Sequence, residues 1–260
     1  MNKVVVITGA SAGIGQATAL MFIKRGYIVY NLSRRGTPNI KHIKTDVTNI
    51  IDVRNALKTI FDTEGRIDIL VNNAGMGISG AIENTNSVDV KRMFDVNFYG
   101  ALYMMQEVIP YMRKMGGGTI VNMSSAAAKL PLPFQAFYSA TKSALCSLSD
   151  ALRLEVAPFN IKVTSILPGD VKTEFTEKRE KNKSNDPIYG NRIDKSVATM
   201  ERDEQNGMSP NIIADIVIKL SMKKNPTPVV VGGFKYAVLV HLAKILPYRF
   251  VLYVMGKLYG

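Results

Sequence analysis

The chain has 260 residues, 47% of them hydrophobic and 21% charged. That suits one domain with a large core and excludes a disordered, collagen-like or disulfide-dense protein. One cysteine (Cys146) and two histidines (His42, His241) exclude an internal disulfide and a cysteine-built zinc site, and leave little for a metal centre or a Ser-His-Asp triad. The net charge of +12 favours anionic partners, but no zinc-finger or RNA-binding motif accompanies it, so nucleic acid is not an expected partner.

Strand-like apolar runs at 4–7, 27–32, 42–44, 69–71, 119–123, 161–167 and 229–231 alternate with helical patterns at 13–25, 50–63, 87–114, 138–157 and 211–222. About seven strands alternating with helices predict a single α/β domain over 1–233, a doubly wound, mainly parallel sheet with helices on both faces. Residues 172–208 break the rhythm. They are polar, include Asp186-Pro187, and read as a substrate lid, since connections so long usually belong to lids or binding loops.

The last segment, 234–260, is basic and apolar. Pro247 should split it into two short helices, and Val251, Val254, Met255 and Leu258 share one face of the second. No acidic residue follows Asp215, whereas Lys219, Lys223, Lys224, Lys235, Lys244, Arg249 and Lys257 do. Three uses of the tail stay open: docking on an anionic membrane, covering the substrate mouth, or packing on a second subunit of a homodimer or homotetramer. The apolar run at 4–7 is too short for a secretory signal, and charges and a proline interrupt 236–259. The expected location is cytoplasmic, with possible peripheral contact at a membrane surface.

The first strand runs into Thr8-Gly9-Ala10-Ser11-Ala12-Gly13-Ile14-Gly15 and then a helix. Glycines there permit a tight turn and close approach to a pyrophosphate, and the helix N-terminus offers free N–H groups. The second strand ends Asn31-Leu32-Ser33-Arg34-Arg35, without the acid that an NAD ribose would want. Ser33 and Arg34 suit a 2′-phosphate instead, so NADP(H) is expected.

Tyr138 and Lys142 stand one helical turn apart. With 11 tyrosines in the chain, about one Tyr-x3-Lys pair is expected by chance, and Tyr253 with Lys257 is a second. Context separates them. Ser125 stands thirteen residues before Tyr138, at a strand end; Val240 holds that place before Tyr253.

With these motifs in order, and with Asp46-Val47, Asn72-Asn73-Ala74-Gly75, Asn97 and Pro168-Gly169-x-Val171-x-Thr173, the sequence resembles the short-chain dehydrogenase/reductase family over residues 3–232, in particular its hydroxysteroid- and retinol-type branches. Ala128 departs from the glycine many members carry. The resemblance implies a Rossmann-type domain and an oxidoreductase. Tyr138 would be the general acid/base, its high pKa brought down by Lys142 and the nicotinamide, and Ser125 would hydrogen-bond the reacting oxygen. It implies further that Lys142 grips the nicotinamide ribose and Asn97 holds a relay water. Asp46 and Val47 would meet the adenine, Asn73, Ala74 and Gly75 the adenine ribose, and Val171 and Thr173 the carboxamide. Cys146 reads as core.

Leu130, Leu132, Phe134, Gln135, Phe175, Met200 and Met208 are candidate pocket residues, mostly apolar. They favour a steroid-like or lipid ketone and its secondary alcohol. A 3-ketoacyl thioester reductase or another carbonyl reductase is the alternative, and a catalytically idle NADP-binding regulator a remote one.

Overall fold

The computed structural model describes residues 2–182 and 188–260; Asp186-Pro187 lies outside the described residues. In chain order the first half contains β1 (Val4–Thr8), α1 (Gly13–Lys24), β2 (Ile28–Ser33), β3 (Lys41–Lys44), α2 (Ile50–Glu64), β4 (Ile69–Asn72), β5 (Ile78–Ser79), α3 (Ser87–Phe94) and α4 (Gly100–Lys114). Then follow β6 (Gly118–Met123), α5 (Ala136–Glu155), β7 (Ile161–Pro168), α6 (Phe175–Lys178), β8 (Glu180–Lys181), α7 (Arg192–Gln205), α8 (Pro210–Met222) and β9 (Val229–Gly232). The tail forms α9 (Phe234–Ile245) and α10 (Tyr248–Tyr259).

Seven strands make one sheet in the order β3-β2-β1-β4-β6-β7-β9, with every pairing parallel. Side chains alternate across it. Val4 and Val6 of β1 enter a core shared with α2, α4 and α5, while Val5 and Ile7 enter a second core beneath α1 and α8. A strand buried on both faces must be apolar throughout, which explains why β1 reads Val-Val-Val-Ile. Strand order reverses between β1 and β4, so a crevice opens there at the carboxyl ends.

The helix predicted over 87–114 is interrupted by one π-turn, Asp95–Tyr99, between α3 and α4. Gly100 follows it against Val47; a Cβ there would lie 2.8 Å from Val47 Cγ2. The two-residue pair β5–β8 has too short a pattern to be read from sequence. Cys146 is buried, its Sγ 3.1 Å from Ser124 Oγ.

Pro247 caps α10, and the two tail helices fold back on the domain. Tyr236, Val240, Val251 and Met255 pack with Ala126 and Leu130 in a third core. The α10 face predicted from Val251, Val254, Met255 and Leu258 therefore turns mostly inward, which removes it as a membrane-facing surface. Leu258 alone of the four is exposed.

Candidate active site

A cleft of about 1390 Å³ crosses the carboxyl ends of the strands, from the β1–α1 turn past Tyr138 to the tail helices. At one end, Gly9 has φ +67°, and a Cβ there would lie 3.0 Å from Ala74 Cα. Thr8 Oγ1 accepts hydrogen bonds from the amides of Asn73 (2.9 Å) and Ala74 (3.0 Å), and Asn73 Nδ2 donates to the carbonyls of Thr8 and Gly9. These bonds hold the loop after β4 against the turn after β1. Asn31 Oδ1 adds another by accepting from Ala10 N at 3.0 Å.

Gly9, Ser11, Ala12, Gly13 and Ile14 line the cleft. Gly15 does not. It lies beneath the turn, where a Cβ would come within 2.4 Å of Asn73 Nδ2, so its smallness serves packing. The N-cap of α1 is Ala12, which makes no side-chain cap, and the first turn carries no acid. The helix N-terminus thus keeps its N–H groups and positive dipole end clear of side-chain acceptors, which fits a pyrophosphate.

Arg34 is exposed at the rim after β2, where Ser33 and Arg35 also line the cleft. The Ser33 hydroxyl donates to the Arg35 carbonyl at 2.6 Å. Asp46, Val47, Asn73, Ala74 and Gly75 line the neighbouring wall, and Asp46 Oδ1 is fixed by the Thr48 amide and hydroxyl. Pro168, Gly169, Val171 and Thr173 line the far wall, and Thr173 Oγ1 accepts from Phe175 N at 3.2 Å.

In the middle of the cleft, Ser125 and Tyr138 line the same wall, and Ser125 is near enough to pull the phenol pKa down. β6 delivers Ser125, whose Oγ also accepts from Ala127 N at 3.1 Å. α5 delivers Tyr138 and, one turn later, Lys142. Lys142 is buried; its Nζ donates to the Met123 carbonyl at 2.9 Å and stands 5.8 Å from the centre of the Tyr138 ring.

Burial pushes Lys142 down to about 8. It pushes the Tyr138 phenol up to about 12, against the pull of the Ser125 hydrogen bond and the Arg179 guanidinium. Desolvation of the tyrosinate is the largest influence that the chain's own atoms exert on the phenol. Tyr138 is held as a neutral proton donor.

Asn97 does not reach the cleft. Its Oδ1 accepts from Met76 N at 2.8 Å, and its Nδ2 donates to the Met76 carbonyl (2.9 Å) and Thr141 Oγ1 (3.1 Å). Thr141 in turn donates to the Tyr138 carbonyl at 2.7 Å. The π-turn aims Asn97 at the loop after β4, so this side chain positions backbone around Tyr138.

Leu130, Leu132, Gln135, Phe175 and Met200 line the apolar end of the cleft. Phe134 and Met208 do not. The Phe134 ring packs edge-on against Tyr189 at 5.9 Å. Met208 bridges to Val171 through its backbone and lies beneath Gly233. Residues that sequence reasoning missed complete the walls: Arg179 and Glu204, a buried ion pair across the lid, and Val238, Leu239 and Met255 from the tail. A buried charged pair 25 residues apart leaves no periodic signal.

Comparison with known proteins fits this geometry. The sequence profile described as short chain dehydrogenase matches residues 3–184. A protein of Bacteroides thetaiotaomicron named 3-ketodihydrosphingosine reductase is 41% identical over 229 residues, covering 86% of this chain and 85% of that one. The 11-beta-hydroxysteroid dehydrogenase-like 3 protein of Arabidopsis thaliana is 35% identical, covering 67% of this chain and 61% of its own. Among solved structures, a short-chain dehydrogenase from Streptomyces avermitilis superposes with a TM-score of 0.84 at 28% identity, covering 99% of this chain and 97% of that one. ElxO with NADP bound gives 0.77 at 28% identity, covering 92% and 100%.

Proposed function

The chain belongs to the short-chain dehydrogenase/reductase family and is an NAD(P)-dependent oxidoreductase; from that premise we propose that it uses NADP(H) to interconvert a ketone and a secondary alcohol on a long-chain lipid. The observation that carries this reading is that Ser125, Tyr138 and Lys142 line one cleft with an apolar end on one side and, on the other, a glycine turn at a helix N-terminus. When bound, the nicotinamide supplies or accepts the hydride.

The residues of the chain do the rest. Ser11 to Ile14 would bind the pyrophosphate, and Ser33 and Arg34 the 2′-phosphate. Asp46 and Val47 would flank the adenine, and Asn73 to Gly75 its ribose. Pro168 and Gly169 shape the wall from which Val171 and Thr173 would orient the carboxamide. Lys142, cationic below about pH 8, would hold the nicotinamide ribose and keep positive charge near the phenol. Ser125 donates to the substrate oxygen as negative charge builds there. Tyr138 Oη passes its proton to that oxygen in reduction and takes it back in oxidation.

A long-chain ketone is favoured over a steroid because the relative named for such a ketone is the more similar and covers more of this chain. Leu130, Met200, Leu239 and Met255 extend the apolar lining toward the tail, which suits a chain leaving the reaction centre. The test follows NADPH absorbance with 3-ketodihydrosphingosine, steroid ketones and 3-ketoacyl thioesters. At least tenfold higher kcat/KM on the long-chain ketone is expected; preference for a thioester refutes the assignment, and NADPH binding without any turnover would make the protein a regulator.

A further inference from the structure

We propose that the outward faces of α9 and α10 dock on an anionic lipid bilayer, with the mouth of the cleft at its surface. On α9, Phe234, Val238, Leu242 and Ile245 fall at i, i+4, i+8 and i+11, one stripe, and they are 87%, 41%, 38% and 66% exposed. Tyr236 and Val240 on the opposite side are the buried ones. A helix that meets water should be polar where these four stand. Leu246 and Tyr248 between the helices, and Phe250, Leu252 and Tyr253 on α10, are exposed as well. An apolar surface of this extent marks an interface.

Charge identifies the occupant. Lys235, Lys244, Arg249 and Lys257 are exposed among these apolar residues, and no acidic side chain occurs after Asp215. A second copy docked by twofold symmetry would set this surface against itself, cation facing cation with no acidic side chain on either tail to pair with them. An anionic bilayer satisfies both parts: headgroups take the lysines and arginine, and the interfacial zone takes phenylalanine, tyrosine and leucine. No helix among the described residues is long and apolar enough to cross a membrane, so the contact is superficial. Phe234 and Val238, both on the exposed stripe of α9, also line the cleft, which places its rim at this surface.

This inference goes beyond the proposed reaction, and its test needs no turnover. The full chain is sedimented with vesicles of phosphatidylcholine alone or with phosphatidylglycerol added, while light scattering gives its mass in solution. Phe250→Glu/Tyr253→Glu and Arg249→Glu/Lys257→Glu change exposed residues, with folding checked by thermal unfolding and NADPH binding. The expected result is binding to anionic vesicles that weakens at least tenfold in high salt, without phosphatidylglycerol, and in either double variant. Mass and turnover of a small water-soluble ketone should stay unchanged. Absence of vesicle binding, equal binding to neutral vesicles, or a fall in mass in the Phe250→Glu/Tyr253→Glu variant would overturn it, the last by making this face a contact between copies.

Discussion

Replacing Glu204 by alanine tests how the ring of Phe175 is held beside Tyr138. Glu204 lies on α7, and its carboxylate accepts from Arg179 Nη2 through Oε1 and from Thr176 Oγ1, at 2.6 Å, through Oε2. The Arg179 side chain is 4% exposed and that of Glu204 18%. Arg179 Nε and Nη1 are buried without hydrogen-bond partners, and its Cζ sits 5.6 Å from the centre of the Phe175 ring. That ring lies 5.9 Å from Tyr138, so the ion pair sets the position of an aromatic beside the proton donor.

Removing the carboxylate strands a buried guanidinium. Breaking a fully buried pair costs about 3–5 kcal/mol. Partial exposure of Glu204 lets water take up part of the charge, which reduces the expected cost to about 2–3 kcal/mol. In a chain of this size each kcal/mol moves Tm by roughly 2–4 °C, so a fall of about 4–12 °C is expected by circular dichroism, with a raised KM for the bulky ketone. Arg179→Met/Glu204→Gln removes both charges and keeps an acceptor for Thr176, so it should cost less than Glu204→Ala alone. Unchanged Tm in Glu204→Ala, or a double variant that loses the sum of the single losses, would refute the reasoning.

Tyr138→Phe should lower kcat at least about a hundredfold while NADPH affinity, read by fluorescence titration, stays near wild type; Tyr253→Phe in the chance pair should leave the chemical step intact. NADPH should bind at least about tenfold tighter than NADH, and Arg34→Asp should reverse the order; equal wild-type affinities would sink the NADP assignment. Because Lys142 titrates near 8 and Tyr138 near 12, kcat/KM for ketone reduction should fall above about pH 8, and Lys142→Arg should move that limb upward out of range. The same depression from the ordinary lysine value of 10.5 makes the Lys142 contribution to stability rise between pH 8 and 10 and disappear as pH falls through 8, a slope that urea titrations of wild type and Lys142→Met would compare.

The elements most legible in the sequence are those whose physics is local. β1 must be apolar on both faces, and the turn after it needs glycine at a positive φ. Ser125, Tyr138 and Lys142 declare themselves because a strand end and one turn of helix fix their spacing. What sequence reasoning misplaced depends on distant partners. Asn97 reads as a mid-helix polar residue until the π-turn aims it at Met76, 21 positions away. Phe134 and Met208 are apolar, which says that they are covered but not by what. Lys142 suggests a lowered phenol pKa, yet packing around α5 decides the sign. On α10, periodicity groups Val251 and Met255 on one face but leaves open what that face meets, which is the third core, and it gives no sign of the exposed Phe250 and Tyr253.

The tail and the cofactor wall are one structure, and Gly169 shows why. A Cβ at this position would lie 1.9 Å from Tyr236 Cδ2, so the turn after β7 is glycine because the first turn of α9 rests on it. Gly233, at φ +97°, reverses the chain from β9 into that helix over Met208. The Tyr236 hydroxyl then donates to Asp170, in the segment that carries Val171 and Thr173. Farther on, Tyr259 Oη donates to Asp203 at 3.2 Å, and its carbonyl accepts from Ser196 Oγ at 2.5 Å, which ties the end of α10 to the lid helix α7. Cutting the chain after Gly233 would therefore uncover the wall formed by Pro168, Gly169, Val171 and Thr173, free α7 from its ties to α10 and remove the exposed cationic residues of the tail at once. A loss of activity in such a truncation could not be attributed to any one of them. Point changes on the outward face separate docking from catalysis, because Arg249, Phe250, Tyr253 and Lys257 are exposed, whereas the ties to Asp170, Ser196 and Asp203 are made by Tyr236 and Tyr259.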